Sequence, residues 1–76
     1  MTNNKIGIGI LGLGGRGVYF GRRFFTDNED CELVGICDIR EDKIAAAQKV
    51  LGDVPGTTSI EEFLNIPRLD AVIIAT

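Results

Sequence analysis

The hydrophobic positions alternate between two kinds of pattern along the chain. Residues 5–11 place Ile6, Ile8 and Ile10 at every second position with Gly7 and Gly9 between them, the period of a strand. Glycine on the alternate positions predicts a helix lying very close to that face, with both faces buried as in a parallel sheet. Residues 15–26 follow a helical period instead, in which Gly17, Gly21 and Phe24 or Phe25 offer an inner face that is first thin and then bulky. Gly21 costs about 1 kcal/mol of helix propensity, so close packing is its expected reason. Asp27-Asn28-Glu29-Asp30 reads as a polar turn, and Leu33-Val34-Gly35-Ile36-Cys37 as the apolar run of a second strand.

A second helix is predicted over residues 41–51, with Ile44, Ala47 and Leu51 on one face, acids in its first turn and Gly52 to stop it. Asp53-Val54-Pro55-Gly56 makes a turn, Thr57 and Thr58 form a very short third strand, and Ser59-Ile60-Glu61-Glu62 reads as a capping box. The short helix it opens ends before Pro67. Residues 69–76 then give another buried strand. The order βαβα(β)αβ with right-handed crossovers predicts an α/β fold, a Rossmann-type parallel sheet with helices on both faces and strands in the order 3-2-1-4. Its switch point falls between strands one and four, so Gly12 and Thr76 flank the ligand crevice.

The chemistry sits at that point. Gly12-Leu13-Gly14-Gly15-Arg16-Gly17 is a G-x-G-x-x-G loop between a strand and a helix, the arrangement that takes a dinucleotide's pyrophosphate. Gly12 permits the tight turn, Gly14 lets main-chain N–H groups approach the phosphates, and Gly17 lets the helix pack hard on the strand. The helix start adds unsatisfied donors and a partial positive charge of about +0.5. An overlapping match over residues 7–12 has no strand before it, and it would expose Ile8, Ile10 and Leu11 to water. Asp38 ends the second apolar run 21 positions after Gly17, near the roughly 20-residue spacing at which a carboxylate meets the adenosine ribose hydroxyls. A carboxylate there repels a 2′-phosphate and so favours NAD. Arg40 stacks on adenine, or neutralises such a phosphate, which would admit NADP, or is a plain helix-start arginine. Thr76 either contacts the cofactor through its hydroxyl or simply ends a strand.

Composition narrows the classes. The chain has 45% hydrophobic and 25% charged residues and a net charge of −3, an ordinary globular balance. Eight basic residues against eleven acidic ones argue against a nucleic-acid footprint, which needs a basic stripe. Arg22 and Arg23 read as a solvated helix face, and Lys5, Lys43 and Lys49 as surface residues. Cys31 and Cys37 lie roughly 20 Å apart on one strand at ~3.3 Å per residue, too far to pair. Two unpaired thiols and no histidine predict a reducing, cytoplasmic compartment and no metal site, with Cys37 a small core residue. No stretch approaches the ~20 apolar residues of a membrane helix, and four glycines interrupt the apolar start that could imitate a leader. At 76 residues the chain holds elements for only the first half of a dinucleotide-binding domain. It is therefore expected to be a fragment, residues 1–76 being the N-terminal part of that domain, with an exposed apolar edge on strand four and a tendency to self-associate.

With these residues placed, the chain resembles the N-terminal domain of the glucose-fructose oxidoreductase / inositol dehydrogenase family, Gfo/Idh/MocA, from Lys5 to Thr76. The resemblance rests on the glycine loop with its strand, on Leu33-Val34-Gly35-Ile36-Cys37-Asp38, on Thr58-Ser59-Ile60-Glu61-Glu62-Phe63-Leu64, and above all on Leu69-Asp70-Ala71-Val72-Ile73-Ile74-Ala75-Thr76. It implies an NAD(P)-dependent oxidoreductase acting on a sugar, cyclitol or related polyol. A second α/β domain, absent from these residues, would bind substrate and form homo-oligomers. The family's Glu-Lys-Pro segment and its later acid/base residues have no counterpart up to Thr76, so no residue is assigned to catalysis. Two rivals share the early motif. A non-enzymatic NAD(H)-sensing Rossmann module would use the same residues, and a methyltransferase would carry an acid just before its glycines, where Ile10 and Leu11 stand instead.

Overall fold

The computed structural model describes residues 5–25 and 29–75. The elements run β1 (Ile6–Leu11), α1 (Gly15–Phe25), β2 (Cys31–Cys37), α2 (Glu41–Leu51), β3 (Gly56–Thr57), α3 (Ile60–Leu64) and β4 (Ala71–Ile74). The strands form one parallel sheet in the order β3-β2-β1-β4, the α/β topology expected from the sequence. The predicted inner face at Phe24 and Phe25 concerns side chains outside those described, and Thr26 lies outside the described residues.

One face of the sheet carries the main core. Ile10 and Ile36 are fully buried and pack with Leu13, Ile44, Ala47 and Val54, so α1 and α2 cover this side. A Cβ on Gly21 would stand 2.9 Å from the Cδ1 of Ile10 and 3.1 Å from Leu51, which accounts for a glycine in mid-helix by close packing. α2 ends where Gly52 takes φ 98°, and its Ile44 and Ala47 point inward as the periodicity requires.

The opposite face is built on missing side chains. Phe63 of α3 is fully buried, and a Cβ on Gly9 would approach its ring to 2.6 Å and Leu69 to 2.7 Å. A Cβ on Gly35 would fall on Ile66, and one on Gly7 on the carbonyl of Arg68. The helix that the glycine-lined face anticipates is therefore α3. Registry makes this face continuous: β1 pairs Ile8 with Leu33 but Gly9 with Gly35, so β2 carries one extra residue at Val34. Without that irregularity Val34 would sit beside Gly9, and Gly35 would turn toward the other face.

Two strands are placed differently from the sequence expectation. β4 starts at Ala71 rather than at residue 69, because Asp70 is used as a clasp: its carboxylate accepts from the Gly7 N–H at 2.7 Å and its own N–H donates to the Gly7 carbonyl at 2.7 Å. β3 comprises Gly56 and Thr57 because the Thr57 hydroxyl turns the chain, accepting from the Ser59 N–H at 3.0 Å and donating to Glu62 at 3.1 Å. Ser59 caps α3 by accepting from the Glu62 N–H. The predicted capping box thus closes through Thr57 rather than by direct return of the Glu62 carboxylate.

Candidate functional site

The carboxyl ends of β1 and β2 lie side by side, and the loop after β1 is fastened to the acid after β2. Gly12 has φ 100°, a conformation glycine adopts without strain, and its N–H donates to the Cys37 carbonyl at 2.9 Å. Leu13 buries its side chain in the core while its N–H donates to Asp38 Oδ2 at 2.8 Å. The other oxygen, Oδ1, accepts from the Arg40 N–H at 2.9 Å. Asp38 is half-buried, and each of its oxygens keeps a second lone pair for a ribose hydroxyl. The sequence spacing places the acid near the loop; the structure shows that the acid also holds the loop in place.

The start of α1 is open in the way an anion requires. Gly14 and Gly15 are exposed, and a Cβ at either would have no atom within 4 Å. Gly17 is buried and a Cβ there would fall on the Gly12 carbonyl oxygen, so the helix can start against the turn only with glycine at this position. Within α1 the first amides have no earlier carbonyl to pair with, and the first helical bond near the loop is Val18 N–H to Gly14 O at 3.2 Å. α1 has no acid in its first turn, whereas α2 and α3 both begin with acids, so its positive end is left for an external anion. Arg16 is exposed in that first turn.

Gly12, Leu13, Gly14, Asp38 and Arg40 together line a cavity of about 470 Å³, which Gly15, Arg16 and Gly17 do not line. Of the expected site residues, Thr76 lies outside the described residues, while Ala75 borders the cavity. Four further lining residues escaped the sequence reading, the first being Leu11 at the end of β1. Ile39 is 83% exposed and Ile60 50% exposed, and both wall the cavity; an apolar residue directly after the ribose acid was the available signal. Lys43, read from the sequence as a surface residue, is half-buried and also lines the cavity, as its place one helical turn after Arg40 permits. The Arg40 guanidinium is engaged by Asp42, through Nε to Oδ1 at 3.1 Å and Nη2 to Oδ2 at 3.0 Å. That hydrogen bond holds the Asp42 carboxyl below its ordinary value.

Beside the site, Cys37 is buried and Cys31 half-buried, both free. Burial, and secondarily the Asp38 charge, pushes the Cys37 thiol above its ordinary value, so it stays a neutral core group. Among the described residues no group of three or more His, Cys, Asp or Glu is placed to hold a metal ion. The arrangement fits a dinucleotide: glycines with open space before them, a helix start without a competing acid, and a carboxylate beside the loop.

The family model for an oxidoreductase family with an NAD-binding Rossmann fold, Gfo/Idh/MocA, matches residues 6–76. No curated protein matches the chain. Among solved structures, apo scyllo-inositol dehydrogenase from Lactobacillus casei is 26% identical with a TM-score of 0.83, over 100% of this chain and 22% of its own. The WlbA dehydrogenase from Chromobacterium violaceum, solved with NADH and UDP-GlcNAcA, is 28% identical with a TM-score of 0.79, over 100% of this chain and 22% of its own. A structure assigned to an NADPH-dependent oxidoreductase from Desulfitobacterium hafniense is 27% identical with a TM-score of 0.85, covering 99% of this chain and 21% of its own. The chain thus spans about a fifth of the length of the structures it resembles.

Proposed function

The chain belongs to the Gfo/Idh/MocA oxidoreductase family and carries its NAD-binding Rossmann fold; from that premise we propose that it is the cofactor-holding part of an enzyme that moves hydride between nicotinamide and a sugar, cyclitol or related polyol. The single observation that carries the cofactor half of this reading is Asp38, whose two oxygens hold the Leu13 and Arg40 amides at the edge of the cavity. Support for the substrate half comes from the relatives, one an inositol dehydrogenase and one bound to a nucleotide sugar.

The nicotinamide supplies the hydride chemistry when bound. This chain's part is to bind and orient. Gly14, Gly15 and the first amides of α1 receive the pyrophosphate, Gly12 and Gly17 let the backbone come close enough, and Asp38 accepts from the ribose hydroxyls while steadying the loop. Arg16, at the first turn of α1, adds positive charge at the phosphates. Thr76 is assigned to the same site from its place in the sequence after that strand. Residues 1–76 form the N-terminal part of the dinucleotide-binding domain, and we assign proton transfer and substrate binding to parts of the protein outside them, in a second domain that also forms a homo-oligomer. Two unpaired cysteines support a cytoplasmic location, and among the described residues no helix is long and apolar enough to cross a membrane.

The test is calorimetric titration of the protein and of Asp38→Ala with NADH and NADPH at matched salt. Wild type is expected to bind NADH more tightly than NADPH. Asp38→Ala should weaken NADH by roughly ten- to a hundredfold, the loss of hydrogen bonds to a charged acceptor, and erase the preference. Equal binding of the two cofactors by wild type, or no binding by folded protein, would overturn the assignment.

A further inference from the structure

Two acids stand near the ribose end of the cavity, and only one of them faces it. Asp38 repels a 2′-phosphate directly. Asp42 lies in the first turn of α2 and does not line the cavity, yet both of its oxygens engage Arg40. Arg40 is otherwise well placed to receive a phosphate. Its amide is fixed to Asp38, its residue borders the cavity, and the guanidinium edge now turned to Asp42 presents the paired donors that bind phosphate in two-pronged fashion.

We infer that Asp42 adds to cofactor specificity by occupying the Arg40 guanidinium, so that a cofactor carrying a 2′-phosphate finds the Asp38 carboxylate without an arginine to offset it. The inference rests on the dinucleotide reading above and deepens it. Discrimination in this arrangement has a repulsive element and a withheld attractive one. The Arg40 and Asp42 side chains are 63% and 65% exposed, so the pair is weak and the preference it adds is modest, a factor of about two to five. Lys43 also lines the cavity and feels the Asp42 charge, so any part it plays is the rise that would survive Arg40→Ala.

The test is a double-mutant cycle on the protein, in which NADH and NADPH affinities are measured for wild type, Asp42→Asn, Arg40→Ala and the double variant. Asp42→Asn is expected to raise the ratio of NADPH to NADH affinity by about two- to fivefold, and the rise should vanish when Arg40 is also alanine. Asp42→Ser, which keeps a helix-starting residue, serves if the asparagine variant folds poorly. An unchanged ratio in Asp42→Asn or Asp42→Ser overturns the inference. So does a rise that survives Arg40→Ala, because removing a nearby negative charge would then suffice. Wild-type protein that binds NADH but gives a flat ratio across the cycle removes only this inference, whereas wild type that binds neither cofactor removes the dinucleotide reading itself.

Discussion

Gly14 and Gly17 stand three residues apart in one motif, but a methyl group would meet opposite surroundings at the two positions. At Gly14 it would point into open space, with no protein atom within 4 Å; at Gly17 it would fall on the Gly12 carbonyl oxygen. The first position is left open by the fold, and the second is closed by it. Gly14→Ala is therefore expected to leave the melting temperature within about 2 °C while weakening NADH at least about tenfold, since the added carbon takes the place of an approaching phosphate. Gly17→Ala should lower stability by about 1–3 kcal/mol through overpacking against backbone and lose binding with it. Thermal melts and titrations of both variants check the pair. If Gly14→Ala bound NADH like wild type, the pyrophosphate would have to lie elsewhere. Asp38 combines both kinds of role in the proposed site, since the carboxylate assigned there to the ribose also holds the Leu13 amide.

Among the elements, α3 is short, five residues, and still decides one face of the sheet. It delivers Phe63 into the trough left by Gly9 and Gly35, and its first turn is fixed by Ser59 and the Thr57–Glu62 hydroxyl bond. The following turn is tied to β2 by an ion pair between Arg68 and Glu32, which holds the Glu32 carboxyl below its ordinary value. Both partners are exposed, so they guide the turn more than they stabilise it. The buried ring is the stabilising piece. Phe63→Ala is expected to destabilise the protein by about 3–5 kcal/mol, read from denaturant unfolding. A loss under about 1 kcal/mol would mean that the trough closes without the ring and that the glycines are not there to receive it.

For the whole molecule, the order β3-β2-β1-β4 leaves β4 at an edge of the sheet, with Ile74 68% exposed at the carboxyl end. An apolar edge of this kind pairs readily with another strand. The 76-residue chain by itself is expected to associate, giving a melting temperature that rises with concentration and a sedimentation profile beyond the monomer. Ile74→Lys, a charge on the edge, should shift the profile toward monomer. A monomeric wild-type chain with a concentration-independent melt would show that β4 is already protected.

Much of this protein is local, and local features are legible in order along the chain. The alternation of Ile6, Ile8 and Ile10, the loop from Gly12 to Gly17, the helical face of Ile44 and Ala47, and the Ser59 cap each depend on neighbours a few residues away. Period and turn chemistry therefore determine the element order, the parallel sheet and the cofactor loop. The spacing from Gly17 to Asp38 brings that acid to the loop for the same reason, because one helix and one strand have nearly fixed lengths. The remaining features depend on residues distant in sequence. The extra residue at Val34 that sets Gly35 beside Gly9, the Asp70 clasp on Gly7 that delays β4, and the α3 ring that fills the glycine trough exist only once strands pair. The same holds at the site, where Lys43, Ile39 and Ile60 converge on one cavity. The Arg40–Asp42 pair, though local, depends on which rotamers the two side chains adopt. Sequence period sets what each segment is, while side-chain packing and strand register, which are non-local, decided where its chemistry points.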